Sequence, residues 1–270
     1  MRGIVKLEVL RAIQYQLGWQ LPVQAFFDLI VGTRCVFRVS SPTCPDRYST
    51  GGIIALAFGV KNWSIKRCIN KFRRLCRIAF TLKVIHTMPL LKYITALKLA
   101  PKYRTKPLRD ALKSNFGEQP LFGNSGRSRA SYHSARIAVT AINEAGTKAI
   151  IMANYSRKNE EHTEQRPGEY EFLRPDRPEQ ELTVWQAAAA TSAAPTYFKP
   201  FMHEATKRTY LDGAIYHNNP VQLAHRERKL LWPDIANRDP DIFLSIGTGQ
   251  HEALRARDSR NLLAKSDPSR

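Results

Sequence analysis

The feature that most constrains the fold of this chain is a strand–turn–helix sequence that is interrupted in the middle. Residues 25–33, AFFDLIVGT, are an apolar run that ends in Gly-Thr, and residues 49–60 continue as STGGIIALAFGV. The intervening residues 34–48 differ in character, with two Pro, two Cys, three Arg and no regular period. When these 15 residues are removed, Thr33 joins Ser49 and the chain reads FDLIVGTSTGGIIALAFG. That joined sequence predicts a buried strand, a G-x-S-x-G turn and a compact helix.

A G-x-S-x-G turn between a strand and a helix exposes a nucleophile. Its glycines permit the sharp turn, which presents the serine hydroxyl at the end of the sheet beside a helix N-terminus. Ser49 is therefore the predicted nucleophile, and Gly32 and Gly51 are the glycines that support the turn. In the continuous chain the motif is split, and Ser-Thr-Gly-Gly alone is a weak signal.

The rest of the chain alternates between apolar strands and helices, which predicts an α/β fold with a central, mostly parallel sheet flanked by helices in three layers. Ile4 begins a helical spacing at the start of the chain, residues 64–81 are a clear amphipathic helix, and residues 183–194 are an Ala-rich helix. Apolar runs predict strands at residues 25–31, 136–142, 149–154 and 242–246.

Several further motifs follow one another along the chain. Arg2-Gly3 stands at the start, WQAAAATSAAPTYF occupies residues 185–198, LDGA occupies residues 211–214 ahead of NNP, and SIGTG occupies residues 245–249. Together with the split turn, these motifs resemble the patatin-like phospholipases, a family of serine acyl hydrolases that act on lipids. The resemblance covers roughly residues 1–250.

The resemblance implies a catalytic dyad of serine and aspartate. Ser49 matches the family's nucleophile, and Asp212 matches its general base, with Gly213 and Ala214 completing that motif. A carboxylate can take the hydroxyl proton only within hydrogen-bond reach of it. The implied reaction is hydrolysis of an ester bond in a phospholipid or another acyl lipid through an acyl-enzyme, and no metal or organic cofactor is implied.

Two departures from the family pattern fall on the same site. Of the family's oxyanion loop, D-G-G-G-x-R-G, only Arg2 and Gly3 are matched, so the resemblance implies a sheet without its first strand. The second departure is the insertion at residues 34–48. The competing interpretation is therefore a non-catalytic relative that binds lipids or anions. Residues 1–224 are expected to form the family core, and residues 225–270 a shortened C-terminal helix, strand and polar tail of the same domain.

Positive charge is concentrated in one part of the chain. The 42 Lys and Arg residues against 23 Asp and Glu residues give a net charge of +19, which favours phosphate-bearing partners. Residues 61–110 contain 14 basic residues and a single acid. The amphipathic helix in this region can be a solvated face, an anionic membrane contact or a nucleic-acid contact. No recognition motif or aromatic platform supports nucleic acid, and the resemblance favours a membrane surface contacted by residues 61–109.

Other classes of protein are disfavoured by the sequence. The seven histidines lack metal-ligand spacing, and the four cysteines form no C-x-x-C pair and are too few for a disulfide scaffold. Lys6 and Glu8 interrupt any apolar leader, and the longest apolar run is residues 51–60, which is too short to span a membrane. The expectation is a cytoplasmic protein that contacts membranes peripherally.

Overall fold

The computed structural model describes residues 2–18, 20–33, 51–79, 101–123, 135–157, 170–175, 177–195, 197–213 and 219–247. Within these ranges there are six α-helices: α1 Arg2–Gln16, α2 Gly51–Gly59, α3 Ile65–Ala79, α4 Thr105–Phe116, α5 Val184–Ala190 and α6 Val221–Leu231. The same ranges contain six strands: β1 Leu29–Gly32, β2 Arg136–Asn143, β3 Ala149–Ala153, β4 Glu171–Phe172, β5 Phe201–Met202 and β6 Thr209–Asp212.

The strands form one sheet in which β2 has the most neighbours. β3 pairs with one edge of β2 through residues 138–142, and both β1 and β6 pair with the other edge. β4 continues the sheet beyond β3, and β5 continues it beyond β6.

The α/β class is confirmed, whereas the expectation of a mostly parallel sheet is wrong for the described strands. The pairs β1–β2 and β3–β4 are parallel, and the other three pairs are antiparallel. The reason is the length of the connections. Only short turns join β2 to β3 and β5 to β6, and a short turn can join only antiparallel neighbours. The expectation that the sheet lacks its first strand stays a prediction.

Helices cover both faces of the sheet, as a three-layer fold requires. The main core packs α1 to α5 against the face that carries Ile137, Val139 and Ala141 of β2. The smaller core packs α6 against the opposite face, which carries Ala138. Alternate residues of β2 therefore point to opposite layers, in agreement with the period of two along a strand.

The amphipathic pattern at residues 64–81 predicted α3 correctly. Its buried residues are the predicted apolar stripe: Ile65, Cys68, Ile69, Phe72, Leu75, Cys76 and Ala79. The Lys and Arg residues lie off that stripe and are mostly exposed. Packing of one apolar face thus decides where this helix lies.

Two predicted strands need correction. Residues 25–31 were expected to form one strand, but Val23–Phe26 is a 3-10 turn and β1 begins only at Leu29. Residues 242–246 are not a strand, and Ile242, Phe243 and Leu244 remain 57%, 47% and 41% exposed. An apolar run becomes a strand only where another strand pairs with it, and none does so here among the described residues.

Candidate active site

The candidate site lies where two strands meet end to end. β1 runs parallel to β2 along Arg136 to Val139, and β6 runs antiparallel to β2 along Asn143 to Ala141. Because β3 occupies the other edge of β2, β1 and β6 share one edge and their carboxyl ends face each other. The point between those two ends is Thr140.

Thr140 connects the two strand ends. Its hydroxyl donates a hydrogen bond of 2.8 Å to the hydroxyl of Thr33, the residue after β1. On the other side, a Cβ on Gly213 would lie only 2.8 Å from the carbonyl carbon of Thr140. Glycine is therefore required after Asp212 for the end of β6 to approach β2 this closely.

Thr33 and Gly51, which lie on the two sides of the interrupting segment in the sequence, also meet here. The carbonyl oxygen of Thr33 lies 2.5 Å from the position that a Cβ on Gly51 would take. A Cβ on Gly32 would lie 2.6 Å from the carbonyl oxygen of Gly51 and 2.8 Å from the Cα of Gly52. The backbone leaves β1 and enters α2 at one place, as the joined G-x-S-x-G sequence requires. Ser49 itself lies outside the described residues.

Asp212 is the last residue of β6 and is fully buried. It stands opposite Ala141, which packs in the core between the sheet and helices α1 to α5. Directly opposite residues of an antiparallel pair project to the same face, so the carboxylate faces the layer that contains α2. The backbone N–H of Asp212 donates to the carbonyl oxygen of Ala193 at 3.1 Å, which ties β6 to the segment after α5.

Only some of the remaining predicted site residues lie at this point. Arg2 is the first residue of α1, and Gly3 is buried in its first turn. Gly32 and Gly51 form the contact between β1 and α2, and Gly213 packs on Thr140. Ala214 lies outside the described residues.

The buried threonines that surround this point belong to none of the motifs that the sequence offered. Thr33, Thr140 and Thr191 are each at most 3% exposed, and Thr191 contacts Gly52 in the first turn of α2. A hydroxyl residue inside an apolar run, as in RIAVTAI and AAAATSAA, was the available signal, because buried polar side chains require a partner.

A cavity of about 510 Å³ opens beside the candidate site. Its wall includes Gly32, Thr33 and Gly51, and continues over mainly apolar side chains of α1, β1, α2 and residues 242–246. Lys6 is the one cationic residue among the described lining residues. The cavity therefore has a polar end at the candidate site and a mainly apolar remainder.

A second fully buried carboxylate, Glu227 of α6, lies on the other face of the sheet. It accepts hydrogen bonds from the hydroxyls of Tyr155 at 2.9 Å and Tyr170 at 2.6 Å, and Arg157 binds both of its oxygens. Burial, followed by the charge of Glu227, raises the pKa of Tyr155 and Tyr170 well above their usual value. The sequence signal was the four-residue spacing of Glu227 from Leu223 and Leu231, which places the acid on the apolar stripe.

Neither a metal centre nor a membrane span is found in the described ranges. No group of three or more His, Cys, Asp and Glu side chains there could hold an ion. His203 contacts the hydroxyl of Thr206 at 2.9 Å, and burial lowers its pKa. None of the six described helices has the length and apolar character needed to cross a bilayer.

The matching family model and the similar proteins agree on one family. The model of the family described as patatin-like phospholipase matches residues 48–225. The chain is 28% identical over 253 residues to calcium-independent phospholipase A2-gamma of Mus musculus, covering 93% of this chain and 27% of that protein. It is 28% identical over 278 residues to the cGAMP-activated phospholipase of Escherichia coli strain TW11681, covering 98% and 63% of the two chains.

A plant relative, phospholipase A I of Arabidopsis thaliana, is 24% identical over 285 residues, covering 92% of this chain and 20% of that protein. The chain thus spans about a quarter of the length of the mammalian relative. The family model covers well over half of the chain. The matched residues include α2 and β6, two of the elements that form the candidate site. The chain therefore belongs to the patatin-like phospholipase family, a family of hydrolases.

Proposed function

We propose that this chain is a lipid acyl hydrolase of the phospholipase A type, with Ser49 as nucleophile and Asp212 as general base. The observation that carries the proposal is that three secondary-structure elements meet at Thr140: β1 and β6 end there, and α2 begins there. The first two flank the serine in sequence, and the third carries the aspartate.

Chain connectivity limits the distance of Ser49 from this point. Ser49 is two residues before Gly51, and consecutive Cα atoms are 3.8 Å apart, so the two Cα atoms are within about 7 Å of each other. Gly51 contacts Thr33, which is bonded through Thr140 to the end of β6. This reach supports Ser49 and Asp212 as members of one site.

The proposed reaction has two steps. The Ser49 hydroxyl attacks the ester carbonyl carbon while Asp212 accepts the hydroxyl proton, and the alcohol leaves with that proton as the acyl-enzyme forms. A water then attacks the acyl-enzyme with Asp212 again as base, which releases the fatty acid and restores the serine. Because Asp212 is fully buried, bulk water does not compete for its oxygens.

The cavity supports a substrate with a long apolar part. Its polar end includes Thr33 and Gly51, next to the proposed nucleophile, and its remainder is lined by side chains such as Leu10, Phe58 and Phe243. An ester carbonyl at the polar end would leave the acyl chain against apolar side chains. The names of the relatives, all phospholipases, support a phospholipid as that ester.

The test is hydrolysis of a short-chain aryl ester and of a phosphatidylcholine by matched serine variants. Ser49→Ala should lower kcat by about 10⁴-fold or more, since no other group replaces the nucleophile. Ser114→Ala, on the exposed side of α4, is the control and should keep the wild-type rate. Equal rates for Ser49→Ala and wild type would contradict the proposal.

An anionic membrane surface is the partner that we propose for α3. Its exposed side carries Lys66, Arg67, Lys71 and Arg74 around a shallow depression, and the helix contains no acid. Arg67 and Lys71 also lie 5.5 Å and 5.9 Å from the ring centre of Trp63, which holds them on one side. Each basic residue near an anionic bilayer contributes about 1 kcal/mol to binding.

Vesicle sedimentation tests this partner. Replacing the four α3 residues by Gln should weaken binding to vesicles of phosphatidylcholine and phosphatidylserine by at least about tenfold, without changing binding to phosphatidylcholine alone. A variant with the same loss of charge at exposed positions outside residues 61–109 is the control: Arg177, Lys199, Lys207 and Lys229 to Gln. Equal weakening in both variants would mean that only net charge matters.

The second candidate is a relative that binds lipids or anions without hydrolysing them. The observation in its favour is the segment of residues 34–48 between the two halves of the turn, together with the single Arg2-Gly3 match to the oxyanion loop. This candidate predicts vesicle binding and a folded protein with no ester hydrolysis above the Ser49→Ala background.

A further inference from the structure

One edge of β1 has no strand partner in the described part of the chain, because β1 pairs only with β2 there. Arg136 of β2 donates its backbone N–H to the carbonyl oxygen of Asp28, so the alternation along β1 directs the N–H and C=O groups of Leu29 and Val31 away from β2. No described residue bonds to these groups. Leu29 and Val31 also line the cavity. An edge with unpaired backbone groups is a template for a further strand.

Helices flank this edge on both faces of the sheet. Ile30 packs against the main core, and Leu29 and Val31 pack against the smaller core. The cavity beside the edge has side chains of α1 and α2 in its wall, from the first layer, and side chains of α6, from the second. A strand placed there would be buried on both faces, and such strands are continuous apolar runs.

Residues 242–246, IFLSI, are an apolar run that lines the same cavity. Ile246 packs against the main core, whereas Ile242, Phe243 and Leu244 are exposed. In an extended chain the period of two places Ile242, Leu244 and Ile246 on one face and Phe243 on the other. Added to the edge of β1, this segment would therefore direct Leu244 to the main core and Phe243 to the smaller one.

The path of the chain after α6 gives the direction of this segment. The guanidinium of Arg136 lies 4.7 Å from the ring centre of Trp232, the residue directly after α6. Arg136 is also the partner of Leu29, the first residue of β1. The chain after α6 thus sets out from the end of the sheet where β1 begins. We therefore expect residues 242–246 to join β1 in parallel.

The residues between α6 and this segment include a fixed turn. The buried guanidinium of Arg228 donates to the carbonyl oxygens of Ala236 and Arg238 at 3.0 Å and 2.7 Å. Residues 239–247, by contrast, form no hydrogen bond or ion pair with the described chain. The segment can therefore move about the turn without breaking such a bond.

We propose that residues 242–246 are a strap that closes on the free edge of β1 as an added parallel strand, and that the structure holds the strap open. Closure would bury three exposed apolar side chains and provide backbone partners for Leu29 and Val31. The closed strap fills the mainly apolar part of the cavity and leaves the polar end at Thr33 free. In the reaction proposed above, on which this regulatory role rests, a long acyl chain enters only when the strap is open.

Disulfide trapping tests the closed position. Ile30→Cys is combined in turn with Ile242→Cys and Leu244→Cys, which lie on one face of the strap and cover two registers. Adjacent strands are about 4.8 Å apart, within the range that a disulfide bridges, so one of the two pairs should oxidise within a single molecule. Mass spectrometry of the digest identifies the linked peptides.

The matched control pairs Ile30→Cys with Phe243→Cys, on the other face of the strap. It should form its disulfide at least about tenfold more slowly than the faster test pair. Equal rates for all pairs, or no disulfide in any of them, would overturn the strap. A disulfide between two molecules in place of the internal one would assign the edge to a second copy and would also overturn it.

Hydrogen exchange tests closure without new cysteines. Phe243→Asp would bury a carboxylate against the smaller core on closing, so it should hold the strap open. The backbone amides of Leu29 and Val31 should then exchange faster than in the wild type, whereas Phe243→Leu should match the wild type. Equal exchange in the three folded proteins would contradict closure.

The regulatory role has its own measurement. The trapped protein should hydrolyse phosphatidylcholine at least about tenfold more slowly than the same variant after reduction, and a short-chain aryl ester at a similar rate in both forms. Equal phosphatidylcholine rates before and after reduction would contradict this role. Trapping and exchange require no hydrolysis, so they decide the strap even if an active Ser49→Ala variant contradicts the proposed function.

Discussion

Two carboxylates of this molecule, Asp212 and Glu227, are both fully buried, yet their surroundings differ completely. Glu227 is enclosed by side chains from three segments, because Tyr155, Arg157 and Tyr170 all bind it. Asp212 ends a strand at the place where β1 and α2 also end and begin. Burial alone therefore does not distinguish a structural carboxylate from a catalytic one. We propose that the ends of β1, α2 and β6 around Asp212 are what distinguish it from a structural carboxylate.

The largest effect on ester hydrolysis is expected from replacing Asp212. Asp212→Asn keeps the size of the side chain but removes the proposed proton acceptor, so ester hydrolysis should fall by about 10²–10⁴-fold. Asp110→Asn, exposed on α4, is the matched control and should hydrolyse at the wild-type rate. A folded Asp212→Asn protein with full activity would assign Asp212 to structure, like Glu227.

Glu227→Gln should have the opposite consequence. Removing one charge of a buried ion pair leaves Arg157 without its partner, which costs about 3–5 kcal/mol of unfolding free energy. Hydrolysis at temperatures where the variant is folded should stay near the wild-type rate, because Glu227 lies on the face opposite the candidate site. The measurement is urea unfolding alongside the ester assay.

The control for that variant is Glu8→Gln, whose partner Arg11 is on the surface of α1. An exposed pair contributes about 0–1 kcal/mol, so this loss should be much smaller. Similar losses for the two variants would show that the Glu227 network does not contribute as a buried unit.

The predictability of these two regions from the sequence also differed. The family motifs predicted Asp212 by its position before Gly-Ala, whereas Glu227 looked like one more charge in HRERKLL. The end-to-end meeting of β1 and β6 could not be predicted, because it depends on which edge of β2 each strand joins. The α3 stripe was predicted correctly since local periodicity decides it. Residues 242–246 were predicted wrongly since a strand depends on a partner elsewhere in the chain.

A smaller effect is expected in the pH dependence of stability. An unfolded tyrosine ionises near pH 10, whereas burial and the charge of Glu227 hold the pKa of Tyr155 well above that value. Above pH 10 the unfolded state therefore loses a proton that the folded state keeps, and stability falls as pH rises.

Tyr155→Phe removes this contribution and should reduce the slope of unfolding free energy above pH 10 by about 1.4 kcal/mol per pH unit. Tyr15→Phe, on the exposed side of α1, is the control. Denaturant unfolding at a series of alkaline pH values measures both slopes. An unchanged slope in Tyr155→Phe would mean that Tyr155 ionises equally in the two states.

The smallest effect concerns a buried group on which a neighbouring opposite charge has only a minor influence. Burial raises the pKa of the Cys68 thiol to about 12, against a minor opposing influence of Arg67. The thiolate is the reactive form, so Cys68 should resist iodoacetamide at pH 8 in the folded protein and react after denaturation. Rapid alkylation of Cys68 in the folded protein would show that α3 opens readily.

The most direct test of the central claim is covalent labelling with a fluorophosphonate, followed by mass spectrometry of the digested protein. We predict one adduct, on the peptide that contains Ser49, formed at least about 10²-fold more slowly in folded Asp212→Asn. A folded wild-type protein that is labelled at another serine, or not labelled at all, would contradict the claim that the ends of β1, α2 and β6 form a hydrolytic site.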